Sequence, residues 1–169
     1  MYGYGLHLTG IRNGFPVMFQ VLPANVNERK VLDTKKDRLL EKGVRCIVTD
    51  NGYVDKKRQV AFAEAGVLLL TPKTTLAEAN RLLGADPLYT ATQVGTWQTA
   101  RKTAIEPVFD LLSKLLSITG AHKPLPLRGV AYVSSFLGIG ILLLQLAMLM
   151  NVRCGLPTRN VTHIKTVFR

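Results

Sequence analysis

Residues 45–53 read Arg-Cys-Ile-Val-Thr-Asp-Asn-Gly-Tyr. Cys46, Ile47 and Val48 form a short β-prone apolar run, entered from a helix-like segment through Lys42-Gly43. That pattern predicts a buried strand. Asp50 and Asn51 follow it, then the turn residue Gly52. A carboxylate therefore stands where a buried strand ends and a loop begins. In open α/β sheets such edges carry sites. The same residue types also cap helices and shape turns, so Asp50 has a local structural role open to it as well.

Outward from this stretch the chain punctuates itself. Tyr2 to Ile11 alternates in part, with Tyr2, Tyr4, Leu6 and Leu8 on one face. Arg12-Asn13-Gly14 is a hairpin turn, and Phe15 to Leu22 is the returning strand. Asn25 or Asn27 caps a helix running to about Lys42, and Gly43 ends it. After the Cys46 strand come a basic helix from about Val54 to Ala65, a buried strand from Val67 to Leu70, and a helix from Leu76 to Leu83 capped by Thr74 or Thr75. The alternation of strand and helix predicts a partly parallel α/β sheet.

Residues 84–95 read as loop. Apolar residues keep helical spacing from Thr99 to about Ser117, interrupted by Pro107. A helix starting near Glu106 and a helix bent at the proline are both open. His122 to Arg128 is a proline-bearing linker. Residues 129–152 carry no charge. That run is long enough to span a bilayer, which takes about 20 residues. Yet Ser134, Ser135, Gln145 and Asn151 interrupt it, and a core helix against a sheet can be equally apolar. No membrane partner is expected. Residues 153–169 form a basic, partly ordered tail.

The net charge is +11. Nine Lys and Arg but only Glu106 and Asp110 lie between Pro87 and Arg169. The excess predicts a polyanionic partner, nucleic acid or an anionic membrane surface. Cys46 and Cys154 give neither metal spacing nor a disulfide framework. With no basic, apolar leader at the N-terminus, the expected location is cytoplasmic, at the nucleoid. Gly-x-Ser-x-Gly, Walker and His-Glu-x-x-His patterns are absent, and His7, His122 and His163 are isolated. Asp50 and Glu106 stand out as candidate acids, and for Glu106 an ion pair with Lys102, four residues earlier on one helical turn, is equally open. Two hard cations held by carboxylates can activate a nucleophile and stabilise a leaving oxygen on phosphorus.

Six motifs run in order: Tyr2-Gly-Tyr-Gly-Leu-His-Leu8, Gly14-Phe-Pro-Val17, Leu22-Pro-Ala-Asn-Val26, Thr49-Asp-Asn-Gly-Tyr53, Leu70-Thr-Pro-Lys73 and Arg101-Lys-Thr-Ala-Ile-Glu-Pro-Val-Phe109. Together they resemble the bacterial insertion-sequence transposases of the DDE class. The resemblance implies an α/β fold with a ribonuclease-H-like mixed sheet flanked by helices. One such partial catalytic domain would span 1–152, with a hairpin at 1–24, the acid-bearing α/β part at 25–117 and an apolar helix at 129–152. Asp50 and Glu106 would be the second and third catalytic acids and ligands for Mg²⁺ or Mn²⁺. Arg101, Lys102, Lys73 and Lys114 would contact DNA.

The sequence departs from the family at Thr99, where one subgroup has tyrosine, and at Ser113, where a lysine is expected beside Lys114. Pro107 is unusual beside the third acid. The family's first acid lies upstream of the Tyr-Gly-Tyr strand, and Asp33, Asp37 and Asp55 sit in helical contexts that do not replace it. The expectation is therefore an N-terminally truncated transposase, inactive alone, partnered by DNA and by a full-length transposase or its own copies. The alternatives are a non-catalytic basic DNA-binding module and a small membrane protein.

Overall fold

The computed structural model describes residues 3–84, 90–118 and 125–160. Tyr2, His122, His163 and the tail beyond Asn160 lie outside the described residues. The chain is mixed α/β and divides into two compact units, residues 25–102 and residues 1–24 with 103–169.

In the unit of residues 25–102, α1 (Glu28–Glu41) starts where the Asn27 side chain accepts the Arg29 N–H. Strand β3 (Cys46–Val48) pairs in parallel with β4 (Leu68–Leu70), Cys46 against Leu68 and Val48 against Leu70. Between them α2 (Lys56–Glu64) is capped by Asp55, which accepts from the N–H groups of Lys57 and Arg58. Thr75 and Glu78 close a reciprocal capping box on α3 (Leu76–Leu83), which satisfies two otherwise orphaned donors.

The two strands are short; β4 is fully buried on both faces, as parallel strands are, and β3 beside it is partly buried. Side-chain alternation sends Leu68 and Leu70 one way and Leu69 the other. Leu68 and Leu70 pack with Ala79 and Val94, flanked by Cys46, Val48 and Trp97. Leu69 packs with Leu32, Phe62 and Val67, flanked by Ile47 and Tyr53. Helices therefore cover both faces. Burial pushes the Cys46 thiol up to about 12, so it behaves as a small core residue, in line with its place in the strand.

In the other unit, β1 (Tyr4–Gly10) and β2 (Pro16–Pro23) form an antiparallel hairpin. Asn13 accepts the Phe15 N–H in its turn. The turn needs Gly14, at φ +85°, where a Cβ would stand 2.5 Å from the Ala104 carbonyl oxygen. Helix α5 (Val130–Arg153) lays Val133 and Leu137 against Val21, Tyr4 and Leu6, and Leu144 and Met148 against Val108, Leu111 and Leu8. The even-numbered face of β1 is thus the packed one. Gly138 and Gly140 let Phe19 and Leu116 come close to α5. Gln145 donates to the Pro16 carbonyl at 2.8 Å. Asn151, fully buried, donates to the Thr158 carbonyl, which ties down the first part of the tail.

Three details differ from the sequence reading. Among the described residues the strands form two separate two-stranded sheets, where one mixed sheet was expected. Helix α4 (Ala91–Leu115) begins well before Thr99. Thr90 and Gln93 exchange hydrogen bonds at its start, a Thr-x-x-Gln capping box inside the stretch read as loop. Of the two readings open at Pro107, the start near Glu106 is excluded, since the helix runs through the proline. Residues of α4 up to Lys102 belong to the first unit described, and those from Thr103 to the second.

Candidate functional site at the carboxyl edge of the parallel strands

The parallel pairing of β3 and β4 sends both chains out of the same edge. Beyond Val48, the Thr49 N–H and hydroxyl both donate to the Leu70 carbonyl, at 2.9 and 3.2 Å. Asp50 follows, exposed, and caps a 3-10 turn over Asn51–Tyr53 by accepting the Gly52 N–H at 3.0 Å. The capping role read from its residue type is therefore present. Glycine at 52 makes room for two carboxylates: a Cβ there would stand 2.5 Å from Glu28 Oε2 and 3.2 Å from Asp50 Oδ1. Arg29 donates through Nε to the Gly52 carbonyl at 3.0 Å. Burial pushes the Tyr53 phenol up to about 12, with the Glu28 and Asp50 charges adding to the effect.

Beyond β4, the chain turns through Thr71–Thr74. Thr74 Oγ1 accepts from the Thr71 N–H at 2.9 Å and from Gln59 Nε2 at 3.0 Å. Gln98 of α4 donates to the carbonyls of both Thr71 and Thr74, each at 2.9 Å. Both threonines are buried, while Lys73 at the turn is exposed. Gln98 pins α4 to this turn, and Lys102, exposed, is one helical turn further along α4. Arg101 beside it is half-buried and engaged within the chain.

This edge gathers Asp50, Lys73 and the α4 segment bearing Lys102 in one unit. Glu106, exposed on α4, belongs to the other unit. Lys114 also belongs there, and it is ion-paired with Asp110 at 2.6 Å. Sequence reasoning missed Glu28, Gln98 and Thr74. Glu28 had a signal, since it follows the Asn27 cap at the start of α1. Gln98 had none, because its role depends on a contact far along the chain.

Among the described residues no three His, Cys, Asp or Glu side chains gather where they could hold a metal ion. Asp50 commits one oxygen to its own turn. No family model, curated protein or solved structure matches the chain.

Proposed function

We propose that this chain is a transposase-like DNA-binding protein of ribonuclease-H-like character, which holds the phosphate backbone at the carboxyl edge of β3 and β4. One observation carries the reading. Lys73 and the α4 segment bearing Lys102 are anchored to the same turn by Gln98, at the edge where Asp50 leaves its strand. Exposed cations on an anchored turn and helix suit phosphate oxygens, which position a duplex without reading its sequence. The ordered motif matches give the transposase class, and the helix-covered parallel pair agrees with it. In that class Asp50 and Glu106 are the second and third acids. Holding DNA is the activity proposed for the chain alone.

The test is fluorescence anisotropy of a short labelled duplex across a salt series. Binding should weaken steeply with salt, and Lys73→Glu and Lys102→Glu should each lower the salt slope by about one or more. Affinity indifferent to salt and to both substitutions would sink the reading.

A further inference from the structure

We propose that the hollow between the hairpin turn and the turn after α5 is a site for a phosphate ester. The hollow is open, has a volume of about 540 Å³, and is lined by Asn13, Pro157, Thr158, Arg159 and Asn160. That volume falls within the range of small-molecule sites, roughly 300–1,000 Å³. All five residues belong to the unit of residues 1–24 and 103–169. The hollow therefore shares no residue with the edge of β3 and β4.

Its walls are fixed before any ligand arrives. Asn151, buried near the end of α5, donates through Nδ2 to the Thr158 carbonyl at 3.1 Å and to the Asn160 carbonyl at 3.5 Å. The Asn160 N–H closes the turn on the Pro157 carbonyl at 3.0 Å. Arg159 is held by the Thr103 carbonyl of α4. Asn13 is held by the Phe15 N–H, which its Oδ1 accepts at 3.0 Å. Walls already ordered lose little entropy when a ligand binds.

These bonds also sort the polar groups. Asn13 Oδ1 and the carbonyls of Pro157, Thr158 and Asn160 are acceptors, and each is engaged within the chain. Donors are what the hollow has to offer. They are the Asn13 NH₂, the Thr158 hydroxyl and the Arg159 guanidinium, which carries five N–H groups and bonds Thr103 through Nη1. None of the lining residues is acidic. Exposed Arg12 adjoins Asn13 on the hairpin.

Donors around a permanent cation, with no carboxylate among them, select an anion. A metal ion would need the acceptors that the walls already engage. Among anions, a planar carboxylate is served by the guanidinium fork alone. Donors from side chains on two separate turns suit the several oxygens of a phosphate. The rest of the volume leaves room for the organic part of an ester, of nucleoside size.

Isothermal titration of the purified chain at low ionic strength tests this. Adenosine 5′-monophosphate should bind saturably, and adenosine should not. Asn13→Asp keeps an oxygen for the Phe15 N–H and turns the donor into a negatively charged acceptor. It should lower affinity for the monophosphate at least about tenfold, as loss of a charge-assisted hydrogen bond does. Arg159→Gln, made together with Pro107→Ala so that Thr103 regains a helical donor, should do the same. Lys30→Glu, a charge change at an exposed position of α1, should leave affinity within about twofold. Circular dichroism of each variant should match that of the unmodified chain. Anisotropy of a labelled duplex separates the two sources of such a phosphate. A loss with Asn13→Asp that exceeds the loss with Lys30→Glu assigns the site to the DNA backbone, and the absence of such a loss assigns it to a free nucleotide. Equal binding of the monophosphate and adenosine, binding of neither, or affinity indifferent to Asn13→Asp would overturn the site.

Discussion

Arg159 donates a hydrogen bond from its guanidinium to the Thr103 carbonyl. Thr103 is the residue four before Pro107, so its carbonyl is the one the proline cannot serve. Proline has no N–H, and its ring crowds that carbonyl, at a usual cost of about 3 kcal/mol in a helix interior. The tail after α5 thus supplies, from outside, the donor that α4 lacks. The proline is tolerated because the carbonyl it cannot serve has a partner.

This arrangement can be measured as a coupling. Arg159→Ala should destabilise the chain by about 1 kcal/mol, the usual worth of such a bond. Pro107→Ala restores an N–H within helical reach of Thr103 and should stabilise. In the Pro107→Ala background, Arg159→Ala should then cost close to nothing. Urea midpoints for the four proteins complete the cycle. Equal costs for Arg159→Ala in both backgrounds would show that the two residues act independently.

Gly14→Ala should be among the most damaging single-methyl changes in the chain. It meets two penalties, the left-handed backbone at φ +85° and a Cβ pushed to 2.5 Å from the Ala104 carbonyl oxygen. Gly66 offers the control: its φ is +78°, with nothing within 4 Å of an added Cβ. Gly66→Ala should cost about 1 kcal/mol, the backbone term alone. Gly14→Ala should cost roughly 3 kcal/mol or more, because backbone cannot yield as a side-chain tip can. Thermal unfolding of the two variants side by side decides it, and similar losses would refute the close-approach argument.

Much of the fold is legible in the sequence because its signals are local. Cys46–Val48 and Leu68–Leu70 appear as strands because short apolar runs between glycine and turn residues have few alternatives. Asn27, Thr75 and Gly43 mark helix ends by chemistry confined to one turn. Position 107 could not be read this way. Its tolerance depends on Arg159, a residue 52 positions later, and propensity contains no such partner. The start of α4 was present in the sequence as Thr90 and Gln93, but outweighed by the glycines around it. The candidate site divides along the same line. Asp50 and Lys73 could be picked from their place after strands, whereas Gln98 acquires its role only through tertiary hydrogen bonds. That the strands make two separate sheets depends on which strands pair, and periodicity does not specify pairing.

Arg58 links α1 to α2 by bridging Asp33 at 2.7 Å and Asp55 at 3.0 Å. Hydrogen bonding from the Arg58 side chain holds Asp33 below the ordinary carboxylate value, and the Arg58 backbone N–H does the same for Asp55. A carboxylate depressed in the folded state binds its proton more readily in the unfolded chain. Its stabilisation is complete above the unfolded value of 3.8 and is lost as pH falls through the lower folded value. Arg58→Met should therefore cost stability at neutral pH, about 1 kcal/mol or less for the partly exposed Asp33 pair. The gap to the unmodified protein should narrow as pH drops through and below that value. Urea titrations along an acid series check this. A gap that stays constant with pH would place the effect of Arg58 in packing.

Asp50 lies at an edge proposed to hold phosphates, and its charge there opposes DNA. Asparagine keeps an oxygen for the Gly52 N–H and removes only the charge, so Asp50→Asn separates capping from electrostatics. In EDTA, Asp50→Asn should bind duplex DNA more tightly, by about two- to fivefold, as one unit charge near a screened surface dictates. Its stability should change little, whereas Asp50→Ala, which loses the cap, should cost about 1 kcal/mol. Cleavage in Mg²⁺ or Mn²⁺ is assayed beside binding, on the unmodified chain and on both variants, and none is expected of a protein whose role is to hold DNA. Metal-dependent cleavage by the pure chain, abolished by Asp50→Asn, would overturn this and give Asp50 a catalytic role in this polypeptide itself. Unchanged affinity in EDTA would instead remove Asp50 from the DNA-holding edge.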